Sequence, residues 1–189
     1  MKKNNIFALE PDDDPIRALT HLLLFHSIAP TYAFADDLNK LYSLELCREP
    51  DMALAESLAP WPLFAFHDRH LRLQYYLAER PNDGTDIPQW PAGHKLLIIQ
   101  GDRAANAARS IADDFASSPA PSDSLNLLDS HHRQLLNQLQ SNFTTLTPIP
   151  VDPTPPPSLK GRTLRWHREL HATIDSILDY LDLHYPTAD

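Results

Sequence analysis

Glycine is scarce in this chain, and its scarcity gives the sharpest exclusion. Gly84, Gly93, Gly101 and Gly161 are the four in 189 residues. No two lie close enough to build a phosphate-cradling loop, so a Walker A loop and a dinucleotide fingerprint are both excluded. A G-x-S-x-G nucleophile elbow is missing too. Cysteine is scarcer still. Cys47 alone excludes an internal disulfide and a cysteine metal cluster. It reads as a small buried hydrophobe on a strand. Runs of basic residues are absent, while Asp12-Asp13-Asp14, Asp36-Asp37 and Asp113-Asp114 contribute to a net charge of −9. Such a surface repels a phosphate backbone and disfavours nucleic acid as a partner. Long apolar runs are missing as well. Lys2-Lys3 is followed only by Ile6 to Leu9, too short for a signal peptide, and no span reaches membrane length. The expectation is a cytoplasmic protein with no membrane partner.

Against these absences stands a 42% hydrophobic content, enough for a core in one domain or one domain with an appendage. The most informative stretch is Ile87 to Asp102, IPQWPAGHKLLIIQGD. Pro88 and Pro91 cannot donate to a ladder and bias their predecessors toward extended backbone. Gly93 permits a turn with positive φ. Leu96, Leu97, Ile98 and Ile99 then form a short apolar run that fits a strand covered on both faces and ending at Gly101. Such a strand needs strand neighbours. Leu22 to Ile28 is a second run, closed by Pro30. Leu63 to His67 and Leu71 to Leu77 flank Asp68-Arg69-His70, which reads as an antiparallel hairpin with a short polar turn. In its second strand Leu71, Leu73, Tyr75 and Leu77 alternate with Arg72, Gln74, Tyr76 and Ala78, so one face should be half wet. Leu44 to Arg48 is a weaker strand. Before it, Phe34, Leu38, Leu41 and Tyr42 recur at helical spacing, with Thr31 placed to cap that helix. The order is strand, helix, strand, hairpin, strand.

That order, with these words in it, resembles the IPExxxVDY family of small bacterial proteins of unknown function. Ala33-Phe34-Ala35-Asp36-Asp37-Leu38-Asn39 stands where the family has a helical A-x-x-LN pattern. Leu46-Cys47-Arg48-Glu49-Pro50-Asp51 is similar to its strand with an Arg followed by an acidic residue. Ile87-Pro88-Gln89, a three-residue gap and Gly93-His94-Lys95 stand in the place of the name motif. Gln89 there replaces Glu, and Gly93-His94-Lys95 replaces Val-Asp-Tyr. Ser124-Leu125-Asn126-Leu127-Leu128 looks like the family's closing segment. The resemblance covers residues 18 to 128. It implies a fold and a compartment, and no catalytic residue.

After about residue 103 the pattern turns helical. Ala104 to Ala116 is rich in helix formers, with Ile111 and Phe115 spaced i,i+4. A longer amphipathic helix is expected over 122–146, with Leu125, Leu128, His132, Leu135, Leu139 and Phe143 as its stripe. Thr147 to Pro157 holds six prolines in eleven residues and reads as a stiff spacer, not a strand. The last helix, 164–185, places His167, Leu170, His171, Ile174, Ile177, Leu178 and Leu181 on one face, which needs a partner. The expected division is therefore an acidic tail (1–17), an α/β core (18–121), the helix 122–146, a Pro-rich linker (147–163) and the C-terminal helix. Residues 129–189 read as an extension beyond the core.

Four features invite chemistry or binding. His167 and His171, at i,i+4, could grip one ion from one helical face. In the zinc-protease motif the Glu follows the first His directly, whereas Glu169 is two positions on, and His131-His132 is the nearest source of a third ligand. His67-Asp68-Arg69-His70 could make an acid–base site or a polar turn. Phe64, Phe66, Tyr75 and Tyr76 could stack RNA bases, or pair across strands as core. Trp61 and Trp90, each beside proline and expected near one another at a sheet edge, could anchor a partner or lid the core.

The sequence thus points to an α+β, mixed α/β fold: a sheet of about five strands with covering helices, then a C-terminal helical extension after a Pro-rich linker. The expected function is a non-catalytic protein-interaction or accessory protein, with no catalytic residue and no cofactor. Its partner would be another protein or a second copy. The contacts would come from Leu170, Ile174 and Leu178 of the C-terminal helix, with Trp61 and Trp90. The alternatives are a metal-dependent hydrolase on His167 and His171, assisted by Glu169 or Asp175, and an RNA-binding accessory protein using the sheet aromatics.

Overall fold

Among the described residues, six strands form one antiparallel sheet, and helices cover both of its faces. The structure, a computed structural model, describes residues 19–27, 29–55, 57–82, 87–116, 133–137, 143–150 and 154–186. In chain order the elements are β1 (Thr20–Ser27), α1 (Thr31–Tyr42), β2 (Cys47–Met52), β3 (Trp61–Asp68), β4 (Leu73–Glu79), β5 (Lys95–Gln100), α2 (Ala104–Ala116), β6 (Phe143–Ile149) and α3 (Gly161–His184). The strands lie in the order β2-β3-β4-β5-β1-β6. β1 therefore sits between β5 and β6, and its Leu22 to Phe25 run is apolar because helices cover both faces there.

Strand alternation sorts the core into two clusters. Leu22, Leu24, Leu63, Tyr76, Ala78, Leu96 and Ile98 pack with Leu170, Ile174, Ile177, Leu178 and Leu181 of α3. Leu23, Phe25, Phe64, Tyr75, Leu77, Leu97 and Ile99 pack with Phe34, Leu38 and Leu41 of α1 and with Ala104, Ala108 and Ile111 of α2. Burying the five aliphatic side chains of α3 stabilises by about 10 kcal/mol before the cost of ordering them. Tyr185 fastens the end of that helix. Its N–H donates to the Leu181 carbonyl (2.7 Å), and its hydroxyl donates to Glu49 Oε2 of β2 (3.2 Å).

Several expectations hold in detail. β5 is buried along its whole length and ends before Gly101. The hairpin forms, and Ala104 to Ala116 is helical with the predicted bounds. The mixed α/β architecture holds, with a sheet of six strands where about five were expected. The departures are informative. Of the helix expected over 122–146, residues 133–137 are helical, but Phe143 to Leu146 lie in β6. Thr147 to Ile149, expected as the start of a spacer and not as strand, continue it. Phe143, Thr145, Thr147 and Ile149 alternate with Thr144, Leu146 and Pro148, and an edge strand tolerates Pro148. β6 pairs with β1, and α3 covers one face of the sheet.

Cys47 is exposed rather than buried, since it begins β2 at the sheet edge. Pro30, not Thr31, precedes α1, and the Thr31 hydroxyl donates to Glu79 instead of capping. The hairpin turn is longer than read, spanning 69–72, with Arg72 at φ 53°. The face of β4 expected to be half wet is closed, because α3 covers Tyr76 and Ala78. The acidic tail and Ser124 to Leu128 lie outside the described residues. Among the described residues no helix is long and apolar enough to cross a membrane.

Candidate functional site

The chemistry-bearing side chains gather at one end of the sheet, where β1 and β4 finish and β5 begins. Register explains the gathering: Phe25 and Glu79 both pair with Lys95, so the ends of three strands lie side by side. Alternation then divides the polar groups between the two faces. Lys95 falls in step with Leu97 and Ile99, toward α1, and Glu79 falls in step with Tyr75 and Leu77. His26, His94 and Arg80 fall in step with Leu24, Leu96 and Ala78, toward α3.

Lys95 is 1% exposed. Its ammonium donates to the carbonyls of Ser27 (3.1 Å) and Gly93 (2.6 Å) and lies 3.5 Å from Glu79 Oε2. Burial lowers its pKa, and Glu79 opposes that shift. Three contacts match the three donors of an ammonium, so this lysine ties strand ends together rather than standing ready as a nucleophile. Arg80 is equally buried, and its guanidinium donates to the Trp90 and Ile87 carbonyls. The Ile87–His94 loop is thus held by two buried cations and by its own backbone. Trp90 N donates to Ile87 O (2.9 Å), Gly93 N to Arg80 O (2.7 Å) and Arg80 N to His94 O (3.0 Å). Gly93 has φ +81°, as its place in the turn requires. Pro88, Gln89 and Ala92 form the exposed tip of this loop.

Beside the loop, His94 Nδ1 lies 3.1 Å from His26 Nδ1, with the rings edge-on at 5.0 Å between centroids. Both are half-buried, and burial lowers the pKa of each. The neighbouring His26 and Lys95 charges push His94 the same way. Sequence reading missed this pair. The two residues are 68 positions apart, and no local spacing signals that β1 and β5 will bring them face to face.

The residues singled out from sequence fall elsewhere. Trp61 and Trp90 do meet, 5.2 Å between centroids at 67°, but inside the core beneath α3. Trp90 Nε1 donates to the His94 carbonyl (3.1 Å). Leu170, Ile174 and Leu178 are buried in the same cluster. The amphipathic face of α3 has found its partner within its own chain. His167 and His171 stack at 4.4 Å between centroids, His171 buried and His167 half-buried. Among the described residues no group of three His, Cys, Asp or Glu is placed to hold a metal. His131 and His132 lie outside those residues.

In the hairpin turn, Asp68 Oδ1 accepts the N–H groups of His70 and Leu71 (2.9 Å each), which makes it a turn former. His67 turns instead to the Tyr76 hydroxyl (3.3 Å). Burial lowers its pKa, with Glu49 acting the other way. Burial lifts Tyr76 well above the ordinary phenol range and Tyr185 to about 12. Of the sheet aromatics, Phe64 and Tyr75 are buried on the face covered by α1 and α2, and Tyr76 on the opposite face under α3. A stacking platform needs its rings on one open face, and these three do not share one. At the other end of β1, a cavity of about 540 Å³ lies between His21, Leu23, Ala108, Arg109 and Pro148. Comparison with family models, with curated proteins and with solved structures returns no match.

Proposed function

We propose that this protein is a non-catalytic binding protein that presents the Ile87–His94 loop to another protein. The observation that carries this reading is the pinning of the loop by Arg80 and Lys95. Burying a cation costs several kcal/mol unless its donors are met. Here Arg80 Nη1 donates to the Ile87 and Trp90 carbonyls of the loop, and Lys95 donates to Gly93 of the loop and Ser27 beside it while pairing with Glu79. A turn that only joined β4 to β5 could be closed by apolar contacts. Holding it this firmly pre-organises the exposed Pro88, Gln89 and Ala92, and pre-organised loops bind at lower entropic cost. The interaction surface moves accordingly, from the core-facing Trp61, Trp90, Leu170, Ile174 and Leu178 to the loop tip.

The reading keeps the resemblance to the IPExxxVDY family as part of the proposal. Two residues quoted for it have clear work. Asn39 clamps Leu46 with both ends of its amide, at 3.1 and 2.8 Å. Arg48 reaches the Leu63 carbonyl (2.9 Å) and Asp51 while lying over the Phe64 ring. Both set the entry of β2 onto β3.

A photo-crosslinking residue placed at 89 or 92 tests the proposal in cells, with position 36 on the exposed face of α1 as control. A discrete crosslinked protein from 89 or 92, absent from 36, supports loop-mediated binding. Equal crosslinking from all three positions refutes it. Crosslinking to a second copy alone replaces a foreign partner by self-association.

A further inference from the structure

We propose that His26 and His94 form a two-histidine site for a divalent transition-metal ion that prefers imidazole nitrogen. The argument is geometric and does not rest on the loop's binding a partner. Two nitrogens bound to one ion at about 2.0–2.1 Å lie about 3.3 Å apart at a tetrahedral angle and about 2.9 Å apart at a right angle. The observed Nδ1 to Nδ1 separation is 3.1 Å.

The pair is pre-organised. The His94 main chain accepts hydrogen bonds from Trp90 Nε1 (3.1 Å) and Arg80 N (3.0 Å) and donates to the Pro91 carbonyl (3.2 Å). His26 is fixed in β1, opposite Thr145 of β6. Burial favours neutral rings on both residues, and the neutral ring is the ligand form. With both rings neutral, one Nδ1–H donates to the other Nδ1. Metal entry moves that proton to Nε2 of the same ring and releases none overall. Lys95 falls on the opposite face of β5 and lies within ion-pair distance of Glu79, while the buried Arg80 on the histidines' own face directs its guanidinium to the Trp90 and Ile87 carbonyls. Both rings are half-buried, which leaves the remaining coordination positions to water or an exogenous ligand. Among the described residues no third side chain completes the set. The helical pair His167 and His171 is the natural competitor and therefore the control.

Two measurements on the full chain test the site. Zn(II) is titrated at neutral pH while the histidine ring nitrogens are followed by long-range ¹H–¹⁵N NMR. The Nδ1 signals of His26 and His94 should move together and saturate at one ion per chain. Cu(II) affinity is then measured by calorimetry in the wild type and in the His26→Asn, His94→Asn and His167→Asn variants. Losing one of two linked ligands should weaken binding on the order of tenfold or more. The first two variants should show that loss, and the third should match wild type. Shifts confined to other histidines, an affinity lost only in His167→Asn, or no binding of either ion would each overturn the assignment. If a variant fails to fold, the wild-type NMR titration decides alone.

Discussion

Replacing Ile174 by alanine separates a helix that belongs to this fold from one that docks on another chain. Ile174 is 1% exposed and packs with Leu170, Leu178 and the α3-facing side of the sheet. The substitution deletes three carbons. Their transfer is worth about 0.8 kcal/mol each, or about 2.4 kcal/mol together. The unfilled cavity raises the expected loss to about 3–4 kcal/mol. In a chain of this size that lowers Tm by roughly 6–16 °C. The assay is urea denaturation followed by fluorescence and circular dichroism, with coincident transitions required before a free energy is taken. Ala172→Ser, at an exposed position on the same helix, should stay within about 0.5 kcal/mol of wild type. A loss below about 1 kcal/mol for Ile174→Ala would refute the packing of α3 on its own sheet. A loss that changes with protein concentration would do the same, because it would place the partner on a second chain.

Other consequences follow from backbone, charge and exposure. Gly101 has φ +125°, and a Cβ there would collide with the Arg72 carbonyl oxygen. Gly101→Ala should cost about 2 kcal/mol or more, and Gly93→Ala, with open space at φ +81°, only about 1 kcal/mol. The reverse order in a denaturation midpoint would contradict the described turn. His26, His67 and His94 all have pKa values lowered below 6.5 by burial. Their rings take up protons in the unfolded chain before they do so in the folded one. Their contribution is therefore complete above pH 6.5 and is lost as pH falls through the folded values. A urea midpoint that declines as pH falls below about 6.5, less steeply in His94→Asn, is expected; identical slopes would remove the histidines from the explanation. Cys47 is exposed, so it should react with a thiol reagent in native buffer nearly as fast as in denaturant. Reaction only after unfolding would return it to the core.

What the sequence determined by itself is what local pattern encodes. The unbroken Leu96 to Ile99 run and Leu22 to Phe25 required strands covered on both faces, and β5 and β1 are paired interior strands of the sheet. The 3.6-residue period predicted α2 and α3, down to the buried set on the last helix. Where a local signal was weak, tertiary pairing overrode it. Phe143 to Ile149 carries threonine and proline in place of a strong strand pattern, and the hydrogen bonds of β1 make it a strand. The destination of an apolar face was equally illegible. Leu170, Ile174 and Leu178 announced that something would cover them, but periodicity does not say whether the cover is in the same chain. The candidate site lay furthest from view. His167 and His171 advertise themselves at i,i+4, because helical geometry is a property of the local chain. His26 and His94 become a pair only when antiparallel register sets Phe25 opposite Lys95. Of the contacts made by the buried cations, that of Lys95 with the Ser27 carbonyl likewise forms only after β1 and β5 have assembled, since the two residues are 68 positions apart.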